Sequence, residues 1–197
     1  MMQNKRLVGI TGGSGTGKSY LSENLRKRGI PVIDCDIVSR EIMGKGTPCA
    51  NEVVAFFGKE ILENGVINRR KLGNIVFADS EKLKKLNEIT HKYILADIYD
   101  KMKKESSPLV CVDGATLIES GIKCDMMVGI VADYELRKKR IMERDGLTEE
   151  EAKRRIGAQQ SDSFYEENCD FVICNKGEID VDVVLEKIGV RDTAKQY

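Results

Sequence analysis

The sequence has 197 residues, 41% of them hydrophobic and 32% charged, which predicts one compact globular unit with at most a small subdomain. Its 32 basic and 32 acidic residues cancel, and a net charge of zero excludes a protein that gathers nucleic acid or anionic membrane over its whole surface. We therefore expect no nucleic-acid partner and no membrane, and any phosphate binding must be local.

The apolar segments are too short for secretion or membrane insertion. Near the N-terminus only Leu7–Ile10 is apolar, which is shorter than the apolar core of a signal peptide. The longest apolar run, Met126–Ala132, is far below the ~18 residues that a membrane span needs. We expect a cytoplasmic protein with reduced, buried thiols, because no Cys-x-x-Cys pair occurs among Cys35, Cys49, Cys111, Cys124, Cys169 and Cys174.

Five short apolar runs predict buried strands: Arg6–Thr11, Pro31–Asp34, Leu109–Asp113, Met126–Ala132 and Phe171–Cys174. Helical patterns lie between them, including Lys18–Arg28, Ser80–Lys104, Tyr134–Arg144 and Asp180–Ile188. Strands that alternate with helices are typical of an α/β protein with a doubly wound, parallel sheet, here of five strands.

Two segments are too long for simple connections. Residues 41–104 predict an inserted helical subdomain, and residues 137–160 predict a hinged helical pair, in which Thr148 and Glu151 form a capping box before a helix that begins at Glu149. The sheet core then comprises residues 1–40, 105–136 and 161–197 of a single domain. In the insertion, Leu83, Leu86, Ile89, Tyr93 and Ile94 recur at helical spacing and predict a core face.

A phosphate-binding loop follows the first strand and precedes the first helix. The pattern G-x-x-x-x-G-K-[ST] is met by Gly12, Gly13, Ser14, Gly15, Thr16, Gly17, Lys18 and Ser19. Its glycines let backbone N–H groups surround phosphate oxygens, Lys18 reaches the β- and γ-phosphates, and the Ser19 hydroxyl is placed to ligate Mg²⁺. The loop predicts binding of a nucleoside triphosphate such as ATP, but kinases, motors and GTP switches all use it.

Carboxylates follow two of the predicted strands. Asp34 and Asp36 lie at the carboxyl end of the second strand, where the ligands of parallel sheets bind. Either could accept a proton from an attacking hydroxyl or support Mg²⁺ through water, whereas helix N-capping by Asp36 is an equally good interpretation. Asp113 ends the third strand and predicts support for Mg²⁺ or substrate, or else a turn before Gly114.

Three arginines share one face of a predicted helix: Arg137, Arg140 and Arg144 recur at spacings of three and four residues. They could close over a triphosphate as part of a lid. The alternative is a solvated helix whose arginines pair with acidic neighbours, namely Glu135, Glu143 and Glu151. His91 is the only histidine, which favours a structural role, and it has no metal-ligand companions in the sequence.

Together these motifs resemble the dephospho-coenzyme A kinase family from about Leu7 to Asn175. The resemblance rests on Thr11–Ser19, on Asp34–Arg40 as Asp-x-Asp-x-(Val/Ile)-x-Arg, and on Gly65–Arg69, Leu86–His91, Arg140–Leu147, Arg155–Gln159 and Cys169–Asn175. The chain departs from the family pattern at Lys92, where proline is usual, and around Ala115, where the family has Pro-Leu-Leu.

The resemblance implies transfer of the ATP γ-phosphate to the ribose 3′-hydroxyl of dephospho-coenzyme A, the last step of coenzyme A biosynthesis. It implies that residues 41–104 bind the acceptor and that residues 137–160 form a lid. The corresponding hypothesis makes Asp36, Lys18 and Arg140 catalytic, and adds Arg144 and Asn175 to the nucleotide site. Acceptor binding is then expected from Asp34, Arg40, Arg69, His91 and Asp113.

Two other functions remain open from the sequence alone. Another small-molecule or nucleoside monophosphate kinase would share the loop and the fold. A GTP-dependent switch is suggested by Asn175–Glu178, but its last residue is Glu rather than Asp, and no Asp-x-x-Gly occurs in the chain. We expect a small-molecule substrate and a monomer or weak homo-oligomer.

Overall fold

A computed structural model describes residues 5–190. In chain order the α-helices and strands are β1 (Arg6–Gly12), α1 (Lys18–Lys27), β2 (Val32–Asp34), α2 (Cys35–Ile42), α3 (Pro48–Phe57), β3 (Leu62–Glu63), β4 (Val66–Ile67), α4 (Arg69–Phe77), α5 (Ser80–Lys104), β5 (Leu109–Asp113), α6 (Leu117–Ser120), β6 (Met126–Ala132), α7 (Tyr134–Asp145), α8 (Glu149–Gly157), α9 (Asp162–Asn168), β7 (Phe171–Asn175) and α10 (Val181–Lys187). The chain divides into two compact units, one being Asp34–Lys104 and the other the described residues before and after it.

The sheet has five strands in the order β2-β5-β1-β6-β7, as a doubly wound α/β fold requires. β1 lies at its centre and pairs in parallel with β5 and with β6, which in turn pairs in parallel with β7. The five strands that the sequence predicts are confirmed, each end within about one residue, which is the usual uncertainty of such boundaries.

The core of the sheet unit explains why its strands lack polar alternation. Val8 and Ile10 of β1 and Val128 and Ile130 of β6 are buried and belong to one apolar cluster. Leu21 of α1 and side chains of α10 complete that cluster. Burying each such side chain contributes about 1.5–3 kcal/mol, and a central strand covered on both sides has no face left for polar residues.

The helical unit, Asp34–Lys104, has its own core. Ile89 of α5 is buried there, and Leu83, Leu86 and Tyr93 pack against the same cluster, which confirms these four positions of the stripe as core. The fifth position, Ile94, is half-buried and does not belong to that cluster. A two-stranded antiparallel hairpin, β3–β4, turns at Asn64 and Gly65, both with positive φ. This hairpin is not predicted from the sequence, because strands of two residues carry no periodic signal.

The helical pair α7–α8 begins and ends as its capping signals indicate. The Thr148 side chain accepts a hydrogen bond from the Glu151 backbone N–H, and the Glu151 carboxylate accepts one from the Thr148 N–H. This capping box starts α8 at Glu149, as predicted. Ile141, Ala152 and Ile156 form a small apolar cluster of the pair.

All six cysteines lie in the described part of the chain and are free thiols. Burial differs from the expectation, because only Cys49 and Cys111 are buried, while Cys174 is exposed. Desolvation raises the pKa of the Cys111 thiol to about 12, so this group stays protonated and inert at neutral pH. Among residues 5–190, no helix combines the length and the apolar character that crossing a membrane requires.

Candidate active site

The loop between β1 and α1 has a backbone that only glycine accommodates at several positions. Gly12, Gly15 and Gly17 have φ values of 144°, 78° and 105°. At Gly12, a Cβ atom would lie 2.2 Å from the Ile130 carbonyl oxygen of the neighbouring strand β6. The repeated glycines therefore permit both the left-handed turns and the close approach to the sheet.

The N-terminus of α1 is built to face an anion. Its N-cap residue is Gly17, which has no side chain to cap the helix, and its first turn contains no acidic residue. The unpaired N–H groups and the positive end of the helix dipole therefore face the loop. Ser19 lies exposed in this first turn, where its hydroxyl is available to a metal or phosphate.

Lys18 extends back over the beginning of the loop. Its ammonium group donates hydrogen bonds to the carbonyl oxygens of Gly12 (2.6 Å) and Gly13 (3.1 Å). The Thr16 hydroxyl, which is buried, donates to the Gly13 carbonyl at 2.9 Å and closes the turn from inside. The structure thereby concentrates one full positive charge and the helix N-terminus at the same loop.

Arg140 and Asn175 bind the second half of the loop. Arg140 donates to the carbonyl oxygens of Gly15 (3.2 Å) and Gly177 (2.9 Å), which joins α7, the loop and the turn after β7. The Asn175 side chain is 2% exposed; its Nδ2 donates to the Thr16 carbonyl and its Oδ1 accepts from the Gly177 N–H. Because both ends of this amide bind backbone, it is not free to read guanine, which argues against a GTP switch.

Asp113 lies next to the start of the loop. It ends β5 opposite Ile10 of β1, is half-buried, and accepts a hydrogen bond of 2.6 Å from the Ser22 hydroxyl of α1. The following segment, which departs from the family pattern, is held by the Gly114 N–H on the Ile10 carbonyl and by the Thr11 hydroxyl on the Ala115 carbonyl. Asp113 therefore joins β5 to α1, and its support for Mg²⁺ or substrate stays a prediction.

No cluster of three or more His, Cys, Asp or Glu side chains among residues 5–190 could hold a metal ion by itself. Magnesium is commonly bound by one or two protein oxygens, with phosphates and water as its other ligands. The Ser19 hydroxyl and the Asp113 carboxylate are oxygens of the kind that it prefers; Ser19 is exposed in the first turn of α1, and Asp113 is hydrogen-bonded to Ser22 of the same helix. The residues present therefore fit Mg²⁺ bound together with a nucleotide.

Arg144 is placed differently from Arg140. At the end of α7 it makes two hydrogen bonds of 2.8 Å to the carboxylate of its neighbour Asp145, which Arg155 also contacts. The hydrogen bond from Arg144 holds the pKa of the Asp145 carboxyl below its ordinary value. Arg144 thus pairs with an acidic side chain, and its assignment to the nucleotide site stays a prediction.

The alternative interpretation, in which the three arginines pair with Glu135, Glu143 and Glu151, is wrong. Glu135 and Glu143 pair with lysines of α7 instead, and Glu151 belongs to the capping box. Arg140 reaches backbone carbonyls, and Arg137, only 6% exposed, is the one charged residue that is buried among residues 5–190. A surface helix that is merely solvated would not bury this guanidinium.

Within the helical unit, Asp34 and Asp36 play distinct parts. The Asp34 carboxylate caps α2 by accepting from the backbone N–H groups of Asp36 (2.8 Å) and Ile37 (3.1 Å). The interpretation of Asp36 as the N-cap is therefore wrong. Asp34 is the N-cap, because the N-cap residue precedes the helix and Asp36 already lies in its first turn. The Asp36 side chain is exposed in the first turn of α2 and is available to a substrate.

The other predicted acceptor residues lie on three helices of this unit. Arg40 is exposed on α2, and Arg69, the first residue of α4, donates a hydrogen bond of 3.2 Å to the Ser39 carbonyl of α2. His91 is half-buried on α5, against which α2 and α4 both pack. The structure therefore joins Arg69 to α2 directly, while the binding roles of all three residues stay predictions.

Lys92, the other departure from the family pattern, has a clear structural partner. Its ammonium group lies 2.6 Å from the Glu52 carboxylate of α3, and the Tyr93 hydroxyl donates to the same carboxylate at 2.7 Å. The hydrogen bond from Lys92 lowers the pKa of the Glu52 carboxyl. In this chain Lys92 thus joins α5 to α3 within the helical unit.

Two residues that contact the loop were not among the predicted site residues. Arg137 donates to the Ser14 carbonyl, and Gln159 binds both the N–H and the hydroxyl of Ser14. A signal for Arg137 was present in the arginine stripe, where it occupies the first position. Gln159 follows α8 and shows no local pattern, so only its resemblance to the family segment Arg155–Gln159 pointed to it.

Comparison with known proteins identifies the family. The family model described as Dephospho-CoA kinase matches residues 6–181. The chain belongs to the dephospho-CoA kinase family. A dephospho-CoA kinase of Listeria innocua is 40% identical over 176 residues, covering 86% of this chain and 88% of the relative.

Solved structures agree with this family and with its fold. A Thermus thermophilus structure superposes with a TM-score of 0.83 at 29% identity, covering 94% of this chain and 96% of that one. A dephospho-CoA kinase from Campylobacter jejuni gives a TM-score of 0.68 at 28% identity, covering 93% and 97% of the two chains. The dephospho-CoA kinase resemblance found in the sequence motifs is thus confirmed.

Proposed function

We propose that the protein transfers the γ-phosphate of ATP to the ribose 3′-hydroxyl of dephospho-coenzyme A, giving coenzyme A and ADP. This is the last step of coenzyme A biosynthesis. The observation that carries the proposal is the family match over residues 6–181, because it spans both the phosphate-binding loop and Asp36. The geometry of the loop supports the ATP-binding half of the reaction independently of any relative.

The donor phosphates are held by the loop, by Lys18 and by the N-terminus of α1. Phosphoryl transfer depends mostly on positioning and on stabilisation of negative charge, and these groups supply both. Ser19 would hold Mg²⁺, which would neutralise phosphate charge. Arg144 completes the nucleotide side of this proposal, and Asn175 supports it through its hydrogen bond to the Thr16 carbonyl of the loop.

The acceptor is activated by Asp36. Its carboxylate accepts the proton of the 3′-hydroxyl while that oxygen forms a bond to the γ-phosphorus, and the bond between this phosphorus and the bridging oxygen of ADP breaks. Asp36 suits this task because it is exposed and because the neighbouring Asp34 carries out the capping. Asp34, Arg40, Arg69, His91 and Asp113 then bind the acceptor.

The helical segments serve these two substrates. Residues 41–104 bind the acceptor, and residues 137–160, which contain most of α7 and all of α8, act as a lid over the nucleotide. The protein works in the cytoplasm as a monomer or weak homo-oligomer. Support for the lid comes from Arg140, which joins α7 to the loop.

Arg140→Ala is expected to lower kcat by about 10²-fold and to raise the Kd for ATP much less, because Arg140 stabilises charge that develops on the transferring group. Steady-state kinetics and direct ATP binding measure the two effects. The matched control is Lys139→Ala on the same helix, whose exposed pair with Glu143 contributes little. Equal losses in turnover and ATP affinity would instead assign Arg140 to plain nucleotide binding.

The experiment that tests the proposed function is an acceptor panel. Purified protein with ATP and Mg²⁺ receives dephospho-coenzyme A, adenosine, AMP or shikimate, and ADP release is measured. We expect rapid ADP release only with dephospho-coenzyme A. Activity confined to another acceptor would show a different small-molecule kinase, and no acceptor-dependent release would contradict the proposal.

A further inference from the structure

Every hydrogen-bonding group of Ser14, the third residue of the loop, is engaged by two side chains from the segment that follows β6. The Ser14 N–H donates to the Gln159 Oε1 at 2.9 Å, and the Gln159 Nε2 donates to the Ser14 hydroxyl at 2.8 Å. The Ser14 carbonyl accepts from the Arg137 Nε at 3.1 Å. The Ser14 N–H is thus already paired with Gln159, while the Ser14 hydroxyl keeps its proton to donate, and the three contacts with Gln159 and Arg137 hold the shape of the loop.

The two side chains also bind each other. The Gln159 Oε1 accepts a second hydrogen bond, of 2.8 Å, from the Arg137 guanidinium. With two donors at its oxygen and a hydroxyl at its nitrogen, the amide of Gln159 has one favourable orientation. Arg137 is almost fully buried, and its carboxylate neighbour Asp162 is 4.0 Å away, so Ser14 and Gln159 are its closest polar partners.

The glycines on either side of Ser14 leave the space that Arg137 and Gln159 occupy. At Gly13, a Cβ atom would lie 2.4 Å from an Arg137 guanidinium nitrogen and 2.8 Å from the Gln159 Oε1. At Gly15, it would lie 2.7 Å from the Arg137 carbonyl oxygen. These two glycines therefore make room for Arg137 and Gln159, in addition to any role in surrounding phosphate.

We propose that Gln159 and Arg137 are positioning residues, which hold Ser14 and thereby keep the loop in the shape that binds a nucleoside triphosphate. The inference rests on the proposed function only in taking a nucleoside triphosphate as the ligand. A glycine-rich loop loses much conformational freedom when it becomes ordered, and side chains that order it beforehand remove that cost from binding. Neither residue needs to touch the phosphates.

Arg137 and Gln159 lie at opposite ends of the helical pair α7–α8. Arg137 lies in the first turn of α7, and Gln159 follows α8 by two residues. They therefore hold the loop from the two ends of the helical pair, and Arg140, which lies between them, contacts the loop as well.

The test is Gln159→Ala with Gln160→Ala as its matched control. Gln160 is the next residue, and its side chain contacts Glu119 rather than the loop. We expect Gln159→Ala to raise the Kd for ATP, measured by calorimetry without acceptor, by about 10-fold, since two hydrogen bonds that order the loop are lost. In the full reaction the KM for ATP rises similarly, while kcat at saturating ATP and the KM for acceptor change less than about threefold.

Ser14→Ala provides a second, milder variant, because it removes the hydroxyl and keeps both backbone hydrogen bonds. We expect a rise of about two- to fivefold in the Kd for ATP, and in the double variant the two effects should not add, since both act on one network. Gln159→Glu, which keeps the acceptor oxygens for Ser14 and Arg137, should restore much of the melting temperature if Gln159→Ala folds poorly.

The inference is overturned if Gln159→Ala lowers the melting temperature while the ATP affinity of the folded protein stays at the level of the Gln160→Ala control. Additive effects of the Ser14 and Gln159 variants overturn it as well. Failure of the proposed function looks different: the unmodified protein would then bind ATP but leave dephospho-coenzyme A unphosphorylated.

Discussion

Asp36→Asn is expected to lower kcat by about 10²–10⁴, while the affinity for ATP stays within about threefold of the unmodified protein. Asn has the shape of Asp but accepts a proton far less readily, so the 3′-hydroxyl loses the group that deprotonates or orients it. ATP affinity is preserved because the loop and Lys18 are unchanged. Steady-state kinetics with calorimetric ATP binding separates the two quantities.

The matched control for this variant is Glu81→Gln. Asp79 accepts hydrogen bonds from the backbone N–H groups of Glu81 and Lys82 at the start of α5, as Asp34 does for Asp36 and Ile37 at the start of α2. Asp36 and Glu81 thus occupy equivalent places, and each substitution removes one negative charge from a helix N-terminus. Near-normal turnover of Asp36→Asn, or an equal loss in Glu81→Gln, would contradict the role of Asp36.

Lys18→Ala is expected to lower kcat/KM for ATP by about 10²–10³-fold, the effect of removing one strong, well-placed charge from a phosphoryl-transfer site. Unlike Asp36→Asn, it should weaken ATP binding as well, because Lys18 meets the phosphates in both the ground state and the transition state. ADP release at varied ATP concentrations measures the effect.

The control for Lys18 is Lys27→Ala, at the other end of the same helix. Lys27 makes an exposed pair of 2.9 Å with Glu23 and should change kcat/KM by less than about twofold. A loss in Lys18→Ala no larger than that in the control would remove Lys18 from the donor site.

The sheet could be predicted from the sequence because the patterns that indicate its strands and helices lie within short stretches of the chain. Each of the five strands is a short apolar run, and the helices between them have regular apolar spacing, so both the elements and the parallel arrangement followed. The capping box at Thr148 is likewise a local signal, since it lies within four consecutive residues. The hairpin β3–β4 and the exposure of Cys174 were not predicted, because they depend on packing rather than on periodicity.

The candidate site also has a part that local patterns predict and a part that depends on contacts between distant residues. The loop follows from its pattern, since glycine spacing, lysine and serine each have a local physical purpose. The contacts of Arg137 and Gln159 with Ser14 join residues more than a hundred positions apart, and no spacing rule connects them. The N-cap of α2 could not be predicted from the sequence, because Asp34 and Asp36 are both suitable residues at a helix start and only the backbone conformation decides which one is the cap.

The measurement that tests the central claim most directly is the identity of the product formed from dephospho-coenzyme A and ATP. Mass spectrometry gives the number of phosphoryl groups gained, and phosphorus NMR gives the oxygen that carries them. We predict one new phosphate monoester, on the ribose 3′-oxygen, formed in equal amount to ADP. A phosphate at any other position, or ADP formed without a phosphorylated acceptor, would contradict the account.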